Sequence, residues 1–144
     1  MPLIETMTIA DYDAVMALLR SSPGLALRTV DSRGATERYL ARNPGLSFVA
    51  RCAKRIVGCV MCGHDGRRGY LQHLAVDPEY QRRGIGTALV ERCLAELSRL
   101  GIDKAHLDVL VANEPAHQYW TGRGWKRRDD IVRYSYTSST DTNA

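Results

Sequence analysis

The chain has 144 residues, enough for one core that buries roughly 68–70% of the unfolded surface, so no metal or disulfide staple is required. With 44% hydrophobic, 25% charged and 7% aromatic residues, the composition is globular and excludes a disordered or fibrous chain. Twenty Lys and Arg against 16 Asp and Glu leave a charge of +4, which permits an anionic partner without naming one.

The first predicted elements are a strand over Leu3–Thr8 and a helix from about Ala10 to Ser21, with Asp11 and Asp13 in its favourable first turn. Ser22-Pro23-Gly24 breaks it, and a second helix follows over Ser32–Arg42, closed by Asn43-Pro44-Gly45. Ser47–Cys52, Arg55–Gly63 and Tyr70–Val76 read as strands of an antiparallel meander. Ile85, Leu89, Cys93 and Leu97 then recur every fourth residue along a helix over Gly84–Leu100, which Gly101 caps. A strand over Lys104–Val111, a short helix over Glu114–Gly122 and a closing hairpin of Trp125–Arg128 with Ile131–Thr137 complete the order. The expected fold is therefore α/β (α+β), a three-layer α/β/α sandwich on a mixed, partly antiparallel sheet. Residues 1–137 make a single domain, and 138–144, small and polar, form a frayed tail.

No run approaches the roughly 20 apolar residues of a membrane helix, so no membrane partner is expected. The early apolar stretch Ala14–Leu19 follows Asp11 and Asp13 and lacks the basic start and cleavage region of a signal peptide. The expected location is the cytoplasm. Cys59 and Cys62 form a lone C-x-x-C, but residues three apart on a strand point to opposite faces. Nothing completes a tetrahedral metal site, so the cysteines read as buried, reduced thiols and no metal is expected.

The informative stretch is Val76-Asp77-Pro78-Glu79-Tyr80-Gln81-Arg82-Arg83-Gly84-Ile85-Gly86-Thr87. Helices usually open with Ser, Thr, Asp or Asn and place acids in the first turn. This one opens on Arg82, Arg83 and Gly84, and its first acid is Glu91. Two cations at a positive helix end are unfavourable unless an anion sits between them. Glycines allow close backbone approach, so amides, helix dipole and guanidinium groups together describe a pyrophosphate cradle. A Walker A loop needs a Lys that is missing, and Leu89 stands where a Rossmann fingerprint has its third glycine.

Gln81-Arg82-Arg83-Gly84-Ile85-Gly86 matches the acetyl-CoA loop Q/R-x-x-G-x-G/A, and here the sequence resembles the GNAT superfamily of N-acetyltransferases. Asn113, Tyr119-Trp120 and Gly124-Trp125 resemble that family's second signature, and the likeness runs from about residue 47 onward. The resemblance implies a GNAT-like fold and acetyl-CoA as co-substrate. Arg82, Arg83, Gly84, Ile85, Gly86 and Thr87 would bind the CoA pyrophosphate. Leu74, Ala75 and Val76 would hold the pantetheine through their backbone, with Asn113 and Trp120 also at the cofactor.

The implied reaction is direct acetyl transfer to an amine of a small molecule or protein. An alkylamine must lose a proton before it can attack, so a base is needed. Asp108 stands where related alanine acetyltransferases carry a proposed glutamate base. Gln72 occupies a position where many relatives have Glu, and His73 should face the other side of an unbulged strand. Counting places Trp120 where the family's thiol-protonating Tyr stands. An indole is no useful acid. Tyr119, about 100° round the helix, substitutes if the helix is rotated.

The competing reading is an acyl-CoA-binding module with decayed catalysis, motivated by Trp120 and Gln72. A basic patch of Arg82, Arg83, Arg123, Lys126, Arg127 and Arg128 lacks any nucleic-acid motif, so no nucleic-acid partner is expected. Exposed edge strands leave room for a homodimer.

Overall fold

The computed structural model describes residues 2–144, and the chain divides into two compact units, one ending at Leu107 and the other running Asp108–Ala144. In the first, strands β1 (Leu3–Thr6), β2 (Phe48–Cys52), β3 (Arg55–His64), β4 (Gly69–Val76) and β5 (Ala105–His106) lie in sequence order in one sheet. Neighbours from β1 to β4 are antiparallel, while β5 runs parallel to β4 through Gly69–Ala105 and Tyr70–His106. The sheet is thus mixed and partly antiparallel, as the order of apolar runs predicts.

Alternation along the strands assigns the two faces. Val49, Cys59, Met61 and Ala75 point to one side, where they meet Val15, Met16, Leu18 and Leu19 of α1 (Tyr12–Arg20). Tyr39 and Leu40 of α2 (Arg33–Arg42) pack against the same cluster. The opposite face receives α3 (Ile85–Arg99), whose Ile85, Leu89, Val90, Cys93 and Leu97 are buried on the predicted stripe. Its approach is close because Gly58 has no side chain. A Cβ there would stand 3.2 Å from both Ile85 Cγ2 and Leu89 Cδ1 and 3.3 Å from Ala50 Cβ. Cys59 joins the α1 side and Cys62 lies beside Cys93 of α3, so the two thiols of the C-x-x-C do diverge, and both are buried and free.

The first helix starts later than its acids suggest. Asp11 closes a 3-10 turn over Ile9–Asp11 and accepts the Thr8 N–H at 3.0 Å. Its other oxygen meets Arg51 Nη2 at 2.9 Å, while Arg51 Nε reaches Glu5 at 2.9 Å. One guanidinium thereby ties β1, β2 and the entry to α1, and its hydrogen bond to Asp11 is the main reason its proton is held more tightly than usual.

The second unit holds α4 (Glu114–Gly122) and otherwise irregular chain. Two expectations are corrected here. The strand drawn over Lys104–Val111 is only Ala105–His106. Beyond it the backbone acceptors go elsewhere: Leu110 C=O takes the Asn113 N–H at 2.9 Å, and His117 Nε2 lies 3.0 Å from Leu110 O and 3.1 Å from Val111 O. Carbonyls spent on a turn and a side chain cannot build a ladder. The closing hairpin is also absent, and Trp125–Arg128 and Ile131–Thr137 carry no strand. Between them Arg127 pairs with Asp129 at 2.7 Å and Arg128 with Asp130 at 3.0 Å, and the stretch lacks the Asn-Gly or Asp-Gly that a tight hairpin turn demands. Among the described residues, no helix is long and apolar enough to cross a membrane.

Candidate functional site

In the first unit, chemistry gathers where β4 ends and α3 begins. Asp77 leaves the strand with its N–H bonded to Val57 O at 2.8 Å, and its carboxylate accepts the Glu79 N–H at 2.9 Å and pairs with Arg55. Pro78 presets the 3-10 turn Pro78–Tyr80. Gln81 Nε2 then donates back to Val76 O at 3.0 Å, tying the loop to the strand that precedes it. Arg83 Nη2 donates to Glu79 O at 3.0 Å and its guanidinium lies 4.9 Å from the Tyr80 ring centre, so the exposed loop is braced from within.

Arg82 and Gly84 both take left-handed backbone, at φ 64 and φ 82. Gly84 is the N-cap of α3 and supplies no side chain to cap it, and the first turn contains no acid. The opening N–H groups of an α-helix have no intrahelical acceptor, and the dipole adds positive potential there. Exposed Arg82 and Arg83 add two more cations at the same end. The residues Arg82 to Thr87 thus fit a phosphate-bearing group, with Leu74, Ala75 and Val76 on the strand that leads into them.

That strand carries a bulge. Cys59 opposes Ala75 and Met61 opposes Gln72, so His73 and Leu74 together face the single residue Val60. His73 adopts φ 55, and its Nε2 meets Asp31 Oδ1 at 2.7 Å. The sequence reading sent His73 to the other side of a regular strand. The bulge overturns that and turns the ring towards the Thr29–Asp31 turn between α1 and α2. Nothing in the sequence around Asp31 marks it as a partner of this strand.

In the second unit, Asn113 is the N-cap of α4 and its Oδ1 accepts the Ala116 N–H at 3.3 Å. Tyr119 and Trp120 are adjacent and edge-on at 5.0 Å, and Trp120 stacks edge-on with Trp125, also at 5.0 Å. The Trp125 N–H closes on Trp120 O at 3.0 Å, so both indoles are fixed by the helix terminus. Asp108 is a 70% exposed carboxylate in a two-oxygen pair with Arg133 at 3.0 Å. The basic run from Arg123 is partly self-neutralised by the Arg127–Asp129 and Arg128–Asp130 pairs.

The chain is 34% identical over 112 residues to human N-alpha-acetyltransferase 30, covering 74% of this chain but 31% of that protein. It spans only 30–41% of the length of the three relatives of that name from human, mouse and Xenopus laevis. An acetyltransferase of Pectobacterium atrosepticum is 42% identical over 104 residues, 72% of this chain and 73% of the relative. Among solved structures, the PaiA N-acetyltransferase of Thermoplasma acidophilum in complex with coenzyme A superposes with a TM-score of 0.81 at 19% identity, covering 91% of this chain and 93% of that one. The NatC complex bound to Gag peptide and CoA gives a TM-score of 0.69 at 23% identity, covering 84% and 82%. A model of the acetyltransferase (GNAT) family matches residues 12–125, and the chain belongs to that family.

Proposed function

We propose that the protein is an acetyl-CoA-dependent N-acetyltransferase, a single domain over 1–137 that moves acetyl to an amine by direct attack in a ternary complex. The observation that carries the reading is the start of α3, where an N-cap glycine in left-handed backbone, a first turn without an acid and two exposed arginines make an anion site. Acetyl-CoA supplies the activated acetyl group. Arg82 and Arg83 with the backbone of Gly84, Ile85, Gly86 and Thr87 would hold its pyrophosphate, and the backbone of Leu74, Ala75 and Val76 its pantetheine. Asn113 and Trp120 are assigned to the cofactor by the family likeness, Asp108 to proton removal and Tyr119 to protonation of the departing thiol.

The relatives named N-alpha-acetyltransferase 30, and the NatC complex solved with a bound peptide, favour a peptide alpha-amine as acceptor, and the solved aminoglycoside acetyltransferases, similar in fold alone, add small amines to the screen. No exported or membrane role is invoked, and the cytoplasm is the proposed location. The decayed-module alternative differs in one outcome, which a screen decides. Acetyl-CoA should raise the melting temperature while ATP and NADH do not, and thiol should be released with at least one amine or peptide. Absence of any CoA-dependent shift overturns the cofactor assignment, and a shift without thiol release leaves a binding module. Asp108→Asn and Tyr119→Phe should each lower kcat about tenfold or more, and an unchanged kcat removes that residue from the chemistry.

A further inference from the structure

We propose that His73, oriented by Asp31, accepts the proton that the acceptor ammonium must lose before it attacks, an inference that rests on the N-acetyltransferase reading. The pair belongs to the strand that leads into the cofactor loop, and it exists only because β4 is bulged. With a carboxylate oxygen 2.7 Å from Nε2, that nitrogen is the donor, and the opposite nitrogen Nδ1 keeps its lone pair as the basic site. The ring retains 14% side-chain exposure and Asp31 9%, so the pair is largely sheltered and its hydrogen bond is little screened by water.

Asp31 is itself held from several sides. Its Oδ2 accepts the Arg28 N–H at 2.8 Å, and its carbonyl accepts Tyr12 Oη–H at 2.6 Å. The His73 carbonyl accepts the Cys59 thiol at 3.4 Å. These contacts fix both members before any substrate arrives. A structural tether between β4 and the α1–α2 connection would need the hydrogen bond alone. It would not need an ionisable ring set in left-handed backbone, a conformation that strains His.

Two protons leave an alkylammonium nitrogen on its way to an amide, and the departing thiolate takes up one. In the first step an N–H bond of the ammonium breaks, its electron pair stays on nitrogen, and the proton joins His73 Nδ1, making an imidazolium beside Asp31. That proton passes to solvent. The second proton, lost as the C–N bond forms and the C–S bond breaks, passes to water, and the departing thiolate takes up a proton in its turn. The charged and titratable groups around the pair are Asp31 on the connection, Tyr12 on α1 with Arg33 5.6 Å from its ring centre and Asp13 beyond, Tyr39 on α2 and Cys59 on β3. Burial pushes both Tyr39 and Cys59 up to about 12, so neither ionises near neutral pH.

The test uses His73→Asn, since Asn tolerates positive φ, with His73→Gln as a second variant and Asp31→Asn to keep the shape of the partner. Coenzyme A binding is measured first. Thiol release from acetyl-CoA is then followed from pH 5 to 9 with ethanolamine, butylamine, an aminoglycoside and hexapeptides with free amino termini. NMR of the histidine ring nitrogens supplies the titration of His73 independently of turnover. The proposal expects an acid limb in kcat/KM whose midpoint matches the His73 ring, a loss of that limb and a fall of about 100-fold at the plateau in His73→Asn. Asp31→Asn should lower kcat/KM about tenfold with coenzyme A binding kept, and Asp108→Asn should lower the rate while leaving the midpoint in place. If His73→Asn and His73→Gln bind CoA as the parent does and keep the parent pH profile, the proposal is overturned while the acetyltransferase reading stands. Failure of CoA binding in the parent, or binding with no thiol release from any of these amines, overturns both.

Discussion

Gly84→Val should weaken coenzyme A binding about 100-fold while lowering the melting temperature by only a few degrees, as read by calorimetric titration and a thermal melt. The separation of the two effects follows from geometry. A Cβ at Gly84 would meet nothing within 4 Å, so no clash destabilises the fold. The residue nevertheless sits at φ 82, where a β-branched side chain is strained by about 1–3 kcal/mol. The exposed loop relieves that strain by turning back to negative φ, which redirects Arg82, Arg83 and the first N–H groups of α3. Gly84→Asn, which accepts left-handed backbone, should retain most of the affinity. Equal losses in the two variants would show that the glycine matters for room rather than for conformation.

Gly58→Val should cost about 2–3 kcal/mol and lower the melting temperature by roughly 6–10 °C. Here the space is missing rather than the dihedral freedom. A Cβ already falls 3.2 Å from two α3 side chains, and the two valine methyls must push Ile85 and Leu89 outward or leave their rotamers. Ile85 is the first residue of α3, so the displacement reaches the anion site, and CoA affinity should fall along with stability. Gly58→Ala should show the same pair of effects at smaller size. A stable Gly58→Val protein with unchanged affinity would mean that α3 is not seated as closely as this packing implies.

The elements that the sequence reveals best are those whose pattern is repeated locally. The four-residue recurrence of Ile85, Leu89, Cys93 and Leu97 is enough to place α3 and its buried face, and two of its neighbours, Arg83 and Gly84, announce an unusual start. The meander of β2, β3 and β4 is legible for the same reason, through alternation and short polar turns. What stays hidden depends on partners distant in sequence. Leu107 to Val111 have the apolar character of a strand, yet His117 and Asn113 claim the carbonyls it would need. Ile131–Thr137 alternates like a strand but has no ladder. Asp31 and His73 lie 42 residues apart, and only the bulge in β4 brings them into contact.

That bulge has a consequence for how the chain tolerates change in length. Opposite Val60 the sheet needs one residue and the chain supplies two, so deleting either His73 or Leu74 would restore a regular pleat. Gln72 would still oppose Met61, Ala75 would still oppose Cys59, and both would keep the faces they now occupy. The extra position is therefore dispensable to the architecture, and a one-residue deletion there separates what the sheet requires from what the site has been given.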